Sequence, residues 1–344
     1  MEYEVTIGIP VYNVGRHIRL TMDSALAQTF PSIEFLILDD CGTDDSMDIV
    51  RSYQQNHPRG KNIRIVRQPQ NMGLGAGRNR LIDEARGRYF YFLDADDEIV
   101  PQTIALLYEN AQRYQAEIVY GSRVNIIETD GSQAVVPYVY PSMQFLEADQ
   151  FATYVYGQYD RLQAQIWNFL IEVDVYRRNH IRYKPVNFWE DFTTTMDLPT
   201  YITRAVLLPD ITYHYYLRNG SLSNFQSRKE IKKEEILATK NAIEQIKDGS
   251  ERLYGKAYFP QRMWKVMITC FYVVSMVMRS EKIITPPFAN RELRDFMRYP
   301  IPLSMVLRFR QWRMRHVLLF SLGVLPPSVA VRLMRMVAKY KKLL

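Results

Sequence analysis

Asp94-Ala95-Asp96-Asp97 puts three carboxylates directly after the apolar, aromatic run Tyr89–Leu93. Alternate carboxylates at a strand end can converge on one hard divalent cation and leave positions for phosphate oxygens and water. An Asp-x-Asp taken alone reads more readily as a solvated loop with a helix cap. Phe188-Trp189-Glu190-Asp191-Phe192 sets two further carboxylates among aromatic residues. They suit proton transfer, or a helix N-terminus that favours negative charge. Gly73-Leu74-Gly75-Ala76-Gly77-Arg78-Asn79 joins permissive backbone to a cation. Its spacing is not the Gly-x-Gly-x-x-Gly of dinucleotide sites, and glycine flexibility at a helix start is the plain alternative.

The elements that must position these groups follow from periodicity. Glu4–Pro10 is β-rich and ends in proline, and Arg16–Gln28 spaces Ile18, Met22 and Leu26 four apart, on one helix face. The apolar run Glu34–Leu38 ends in Asp39 and Asp40. Asp44 or Asp45 can then cap a helix carrying Met47, Ile49 and Val50, and Asn62–Val66 and Leu81–Ala85 read as a further strand and helix. Strands alternating with helices predict an α/β fold with a doubly wound, mainly parallel sheet. Ligands bind beyond the carboxyl ends of such strands, which directs attention to Pro10–Asn13, Asp39–Asp45 and Asp94–Asp97. From about Gly121 to Leu217 the pattern is mixed and turn-rich, and from Glu230 it is largely helical.

Val5–Asn13, Gln28-Thr29-Phe30, Ile37–Ser46 and Phe92–Asp97 occur in an order and spacing that resembles the family-2 glycosyltransferases. The resemblance is dense over about the first 100 residues and thinner to about Asn224. It implies an inverting enzyme of GT-A fold, with a glycosyltransferase domain over 1–225 (a nucleotide-sugar-binding half, 1–120, and an acceptor half, 121–225) and a helical C-terminal region, 226–344. It further implies that Pro10 and Tyr12 lie beside the base of a nucleoside diphosphate sugar, with Asn13 nearby and Asp40 accepting a hydrogen from the base. Asp39 shares that role or holds the turn. Asp96 would face ribose and metal, Asp97 would reach the metal, and Asp94 would support both, the cation being Mn²⁺ or Mg²⁺. Arg78, Arg218 and Ser221 would approach the diphosphate. The acidic pair about 100 residues further on makes Asp191 the general base, with Glu190 and Trp189 supporting the acceptor; Trp167 and Trp189 are sugar-stacking faces or buried core aromatics. Cys41-Gly42 departs from the usual Gly-Ser, and Phe169 follows Trp167-Asn168 where lysine is common.

Composition fits this reading. The net charge is +7, yet ten Lys or Arg and no acid lie from Phe296 onward, which leaves the first 295 residues at −3. A nucleic-acid partner is therefore not expected, the basic charge being confined to the tail. Leu307–Phe320 and Val329–Leu344 interleave cations with apolar residues around Pro326-Pro327. Such segments suit an anionic membrane surface, or packing on protein. They are basic and amphipathic from about residue 303. The apolar stretch Val266–Met278 falls short of the ~20 residues of a spanning helix. Two distant cysteines indicate no disulfide framework and point to the cytoplasm, with peripheral attachment to the inner face of the cell membrane. Without spanning helices or a Gln-x-x-Arg-Trp motif, transfer of one sugar to a carbohydrate or lipid-linked acceptor is favoured over processive extrusion. An inactive GT-A scaffold is the alternative.

Overall fold

The computed structural model describes all residues except 1, 130–131, 158–164, 187–188 and 219–228, together with the side chains of 129, 132 and 190. The chain forms two compact units. The first comprises Met1–Phe151, Ala164–Pro185 and Glu190–Ser221, and the second Ala152–Gln163, Val186–Trp189 and Leu222–Leu344. The boundary expected at 225 lies outside the described residues.

The strands of the first unit are β1 (Tyr3–Val11), β2 (Ile33–Asp39), β3 (Ile63–Arg67), β4 (Gly87–Phe92), β5 (Glu98–Ile99), β6 (Ile118–Thr129), β7 (Ser132–Tyr138), β8 (Met143–Phe145), β9 (Phe169–Glu172) and β10 (Ala205–Leu217). Its helices are α1 (Ile18–Leu26), α2 (Ser46–Asn56), α3 (Leu74–Glu84), α4 (Thr103–Tyr114), α6 (Val173–Arg178) and α7 (Glu190–Thr195), with α5 (Gln150–Gly157) beginning in this unit. One sheet runs in the order β3-β2-β1-β4-β9-β6-β10-β5, with β7 on β6 and β8 on β10. The first four strands are parallel, as is the pair β6–β10, while β9, β5, β7 and β8 pair antiparallel. The α/β class expected from alternation is the one observed.

All seven residues of β2 are buried, as are Val5, Ile7 and Ile9 of β1, which is why these strands read as continuous apolar runs rather than alternating ones. From β1 the chain proceeds to β2 on one side and later returns to β4 on the other, so the winding reverses between β1 and β4. A crevice is expected at the carboxyl ends of strands flanking such a reversal. Val11 stands opposite Asp39 and Gly8 opposite Phe92, which brings the residues following β1, β2 and β4 to one edge.

The second unit holds the short parallel pair β11 (Ile231–Lys232) and β12 (Ile284–Thr285) and helices α8 (Lys233–Asp248), α9 (Phe259–Arg279), α10 (Asn290–Asp295), α11 (Leu303–Val306), α12 (Arg313–Val324) and α13 (Pro327–Tyr340). Met263, Val266, Met267, Val273, Val274 and Val277 of α9 are buried. Two buried cations in this unit are satisfied by partners. Arg262 donates to Ser250 Oγ at 2.7 Å and Ile246 O at 3.3 Å, and Lys247 to the carbonyls of Phe296 and Arg298 at 2.8 and 3.0 Å. Among the described residues no helix is long and apolar enough to cross a membrane.

Candidate active site

The ends of β1 and β2 form one wall. Tyr12 is 46% exposed, Pro10 is half-buried at the end of β1, and Asn13 takes a left-handed φ of 51°, a conformation Asn tolerates better than most residues. The Asn13 side chain accepts from Thr43 N at 2.7 Å, and a Cβ on Gly42 would fall 2.9 Å from Asn13 N, so the turn after β2 packs directly on Asn13. Asp39 and Asp40 are both buried, with different tasks. Asp39 Oδ1 accepts from Cys41 N at 2.9 Å and Oδ2 lies 3.5 Å from Arg67 Nε, so this carboxylate holds the turn. Asp40 Oδ1 accepts from Met72 N at 3.0 Å, and no donor to Oδ2 is found among the described residues.

The acidic loop after β4 forms the second wall. Asp97 is almost fully buried; Oδ2 accepts from Tyr213 Oη at 2.8 Å and Oδ1 from Tyr216 N at 2.9 Å. The antiparallel pairing of β5 and β10, Tyr213 opposite Ile99 and His214 opposite Glu98, creates this contact. Burial, then the charges of Asp94 and Asp96, push the Asp97 carboxyl well above its ordinary range, while the two donors oppose the shift. Asp94 is pushed up to about 7, first by burial and further by Asp96 and Asp191, with Arg78 acting against both. The Asp96 side chain is 42% exposed and lies 3.7 Å from Arg218, which also donates to the Asp96 carbonyl. Arg218 rests over the Tyr216 ring, its charge centre 4.4 Å from the centroid, and approaches Glu128 at 3.5 Å. His214 pairs with Glu98 at 3.2 Å.

Burial and neighbouring carboxylates raise the proton affinity of Asp94 and Asp97, a strain that a divalent cation would relieve, and carboxylate oxygens are hard ligands. Asp96 presents a carboxylate to solvent, whereas Asp97 already takes one hydrogen bond on each oxygen. Among the described residues no group of three or more His, Cys, Asp or Glu is arranged to hold a metal. An ion bound through one or two carboxylates and completed by substrate phosphates needs no such group.

Asp191 belongs to α7 and lies 113 residues from Arg78, yet Arg78 Nη1 donates to its Oδ1 at 2.8 Å. The Arg78 guanidinium is buried, and Nη2 lies 3.9 Å from Asp94. One arginine therefore joins the acidic loop to the candidate base, whose own side chain stays 35% exposed. Trp189 falls in the second unit, half-exposed with a left-handed φ of 60°. Only the backbone of Glu190 is described, and Ser221 lies outside the described residues. Trp167 is buried, stacked on Tyr213 at 4.4 Å and Tyr215 at 4.9 Å. Motif reading did not single out Tyr213 and Tyr216 as partners of Asp97, or Asn79 and Tyr183 beside Arg78. Their pairing depends on tertiary register, for which the local sequence carries no signal.

Comparison with known proteins matches residues 6–168 to the model of glycosyl transferase family 2. The uncharacterized glycosyltransferase YibD of Escherichia coli K12 is 28% identical over 230 residues, covering 64% of this chain and 63% of YibD, so the chain spans just under two thirds of that relative. The succinoglycan biosynthesis protein ExoO of Rhizobium meliloti is 22% identical over 300 residues, 84% of each chain. Among solved structures, S. aureus TarS 1–349 in complex with UDP-GlcNAc superposes with a TM-score of 0.63 at 17% identity, over 93% of this chain and 90% of that one. The architecture is thus the GT-A fold, and the segment that matches the glycosyl transferase family 2 model, 6–168, contains the acidic ends of β2 and β4 and Arg78.

Proposed function

We propose that this chain is an inverting glycosyltransferase that moves one sugar from a nucleoside diphosphate sugar, with UDP-sugars favoured, to an acceptor hydroxyl in the assembly of a surface polysaccharide or glycolipid. The observation that carries the reading is the Arg78–Asp191 contact, which joins a half-exposed carboxylate to the acidic strand end across 113 residues of sequence. The UDP-GlcNAc complex of TarS and the polysaccharide role in the name of ExoO support the choice of donor and pathway.

In the proposed reaction Asp191 takes the acceptor hydroxyl proton while the acceptor oxygen bonds the anomeric carbon from the face opposite the diphosphate. The bond from that carbon to the diphosphate oxygen breaks, its electron pair leaves with the nucleoside diphosphate, and the configuration inverts. General base assistance of this kind contributes ~10²–10⁴ in rate. Tyr12 offers a ring face to the base, and Asp40 has Oδ2 available to accept a base N–H. Arg218 and Ser221 are the residues that the family resemblance assigns to the diphosphate. Mn²⁺ or Mg²⁺, held by Asp96 with Asp97 behind it, would supply charge neutralisation for the diphosphate. The acceptor is a carbohydrate or lipid-linked hydroxyl, presented at the inner face of the cell membrane, where the basic C-terminal helices meet anionic lipid.

Thermal stabilisation by a panel of UDP- and GDP-sugars, with Mn²⁺, Mg²⁺ or EDTA, tests the reading together with slow donor hydrolysis. Metal-dependent stabilisation and release of UDP are expected. Absence of both across the panel would remove the enzymatic assignment and leave an inactive scaffold.

A further inference from the structure

The Gly-rich segment matters for which way its residues face. Gly75, Arg78 and Asn79 are spaced i, i+3 and i+4 on α3 and so share one helix face. All three meet the acceptor half of the first unit. A Cβ on Gly75 would lie 2.4 Å from the Lys184 carbonyl oxygen, so that backbone can approach only because residue 75 has no side chain. Asn79 grips the neighbouring peptide as a strand partner would: its Nδ2 donates to Tyr183 O at 2.9 Å, and its Oδ1 accepts from Tyr183 N at 2.8 Å. Arg78 lies over the Tyr183 ring, 5.6 Å from the centroid, and donates to Asp191. Close approach, a two-bond backbone clamp and an ion pair from a buried guanidinium thus act from one helix turn on 183–184 and 191.

We infer that this face of α3 is an anchor for the acceptor-side segment, and that Arg78 is a positioning residue acting through Asp191 instead of a ligand of the diphosphate. The inference rests on Asp191 being the base. A guanidinium donating to Oδ1 holds that oxygen in place and leaves Oδ2 for the acceptor proton, an arrangement the point charge of a lysine would restore only in part. Arg78 is buried against protein carboxylates, with its charge already engaged by Asp191 and Asp94.

The test uses the full chain with UDP and Mn²⁺ as the binding probe, UDP-GlcNAc hydrolysis as the turnover probe, and amide hydrogen exchange of 183–195. In Arg78→Lys and Asn79→Ala, UDP affinity should stay within about twofold while turnover falls by about 10–100-fold, the scale of an ångström-sized misplacement. Exchange of the Tyr183 amide and of α7 should quicken. In the Asp191→Asn background either change should cost no more than about twofold further, because it acts through a group already disabled. A tenfold or greater loss of UDP affinity in Arg78→Lys would assign Arg78 to the diphosphate and overturn the inference, as would losses that multiply in the double variants. If Arg78→Lys does not fold, Asn79→Ala decides, since it keeps the ion pair; unchanged turnover and exchange in that variant overturn the anchor. Wild-type turnover in Asp191→Asn alone would sink the base assignment instead, while quickened exchange of 183–195 in Asn79→Ala would still report the anchor.

Discussion

At the scale of single residues, the two aspartates expected at the cation turn out to do different work. Asp96 reaches solvent, so Asp96→Ala should abolish Mn²⁺-dependent UDP binding and leave the melting temperature nearly unchanged. Asp97→Ala removes the acceptor from Tyr213 Oη and Tyr216 N inside the fold, and orphaned buried donors cost roughly 1–3 kcal/mol each. That variant should lose several degrees of melting temperature along with binding. Equal stability losses in the two would refute the division. For the base, Asp191→Asn should leave UDP affinity intact and lower turnover by about two to four orders of magnitude, with Glu190→Gln doing less. Single-turnover measurement decides, and near-normal chemistry in Asp191→Asn requires another base. Asp94, Asp96 and Asp97 stand out in the sequence because carboxylates at a strand end are locally visible, whereas Asp191, on α7, is reached through the family resemblance. The division of labour between Asp96 and Asp97 is not visible there, because it is set by β10, more than 100 residues away.

At the scale of elements, the parallel half was legible because β1, β2 and β4 are apolar runs punctuated by Pro10, Asp39 and Asp94. The antiparallel part was not. The two-residue strand β5 and the four-residue β9 owe their existence to their neighbours, and β10 shifts register twice against β6. Helix α12 carries a further consequence that periodicity does not reveal. His316 is fully buried, with Nδ1 against the Tyr299 hydroxyl and the Phe309 ring 4.8 Å away. Burial pushes its pKa down to about 4, opposed only by the Pro260 carbonyl. The folded chain keeps His316 neutral while the unfolded chain protonates near 6.5, so the unfolded state binds more protons between those values. Stability associated with His316 is therefore complete above pH 6.5 and is lost as pH falls toward 4, by up to about 3 kcal/mol. Urea unfolding at pH 7 and pH 5 should show the loss, and His316→Gln should flatten that part of it. An unaltered pH dependence in a folded His316→Gln variant would mean that another group governs it.

At the scale of the whole molecule, ten of the seventeen large hydrophobic residues exposed among the described residues lie between Leu303 and Tyr340, so the apolar surface is concentrated where the positive charge is. Helix α13 is apolar on two faces. Ala330, Val331, Met334 and Ala338 are buried, while Val329, Leu333, Met336, Val337 and Tyr340 are exposed at helical spacing, flanked by Arg332, Arg335 and Lys339. An outward stripe of this kind with cations beside it matches a helix lying in a bilayer interface, with each cation near an anionic surface worth about 1 kcal/mol. Deleting the tail would be a poor test, because His316, Leu319, Leu322, Ala330 and Met334 belong to the core of the second unit. The selective variant is Leu333→Ser, Met336→Ser and Tyr340→Ser together, which alters exposed positions alone and should change stability little. Sedimentation with phosphatidylglycerol-containing vesicles should recover the intact chain, and the triple variant should lose most of that binding. Pure phosphatidylcholine should bind the intact chain weakly, and raised salt should reduce its binding without removing it, since the apolar contribution is not screened. Equal recovery of variant and intact chain on the anionic vesicles would withdraw the membrane assignment and leave the stripe as a surface for another protein.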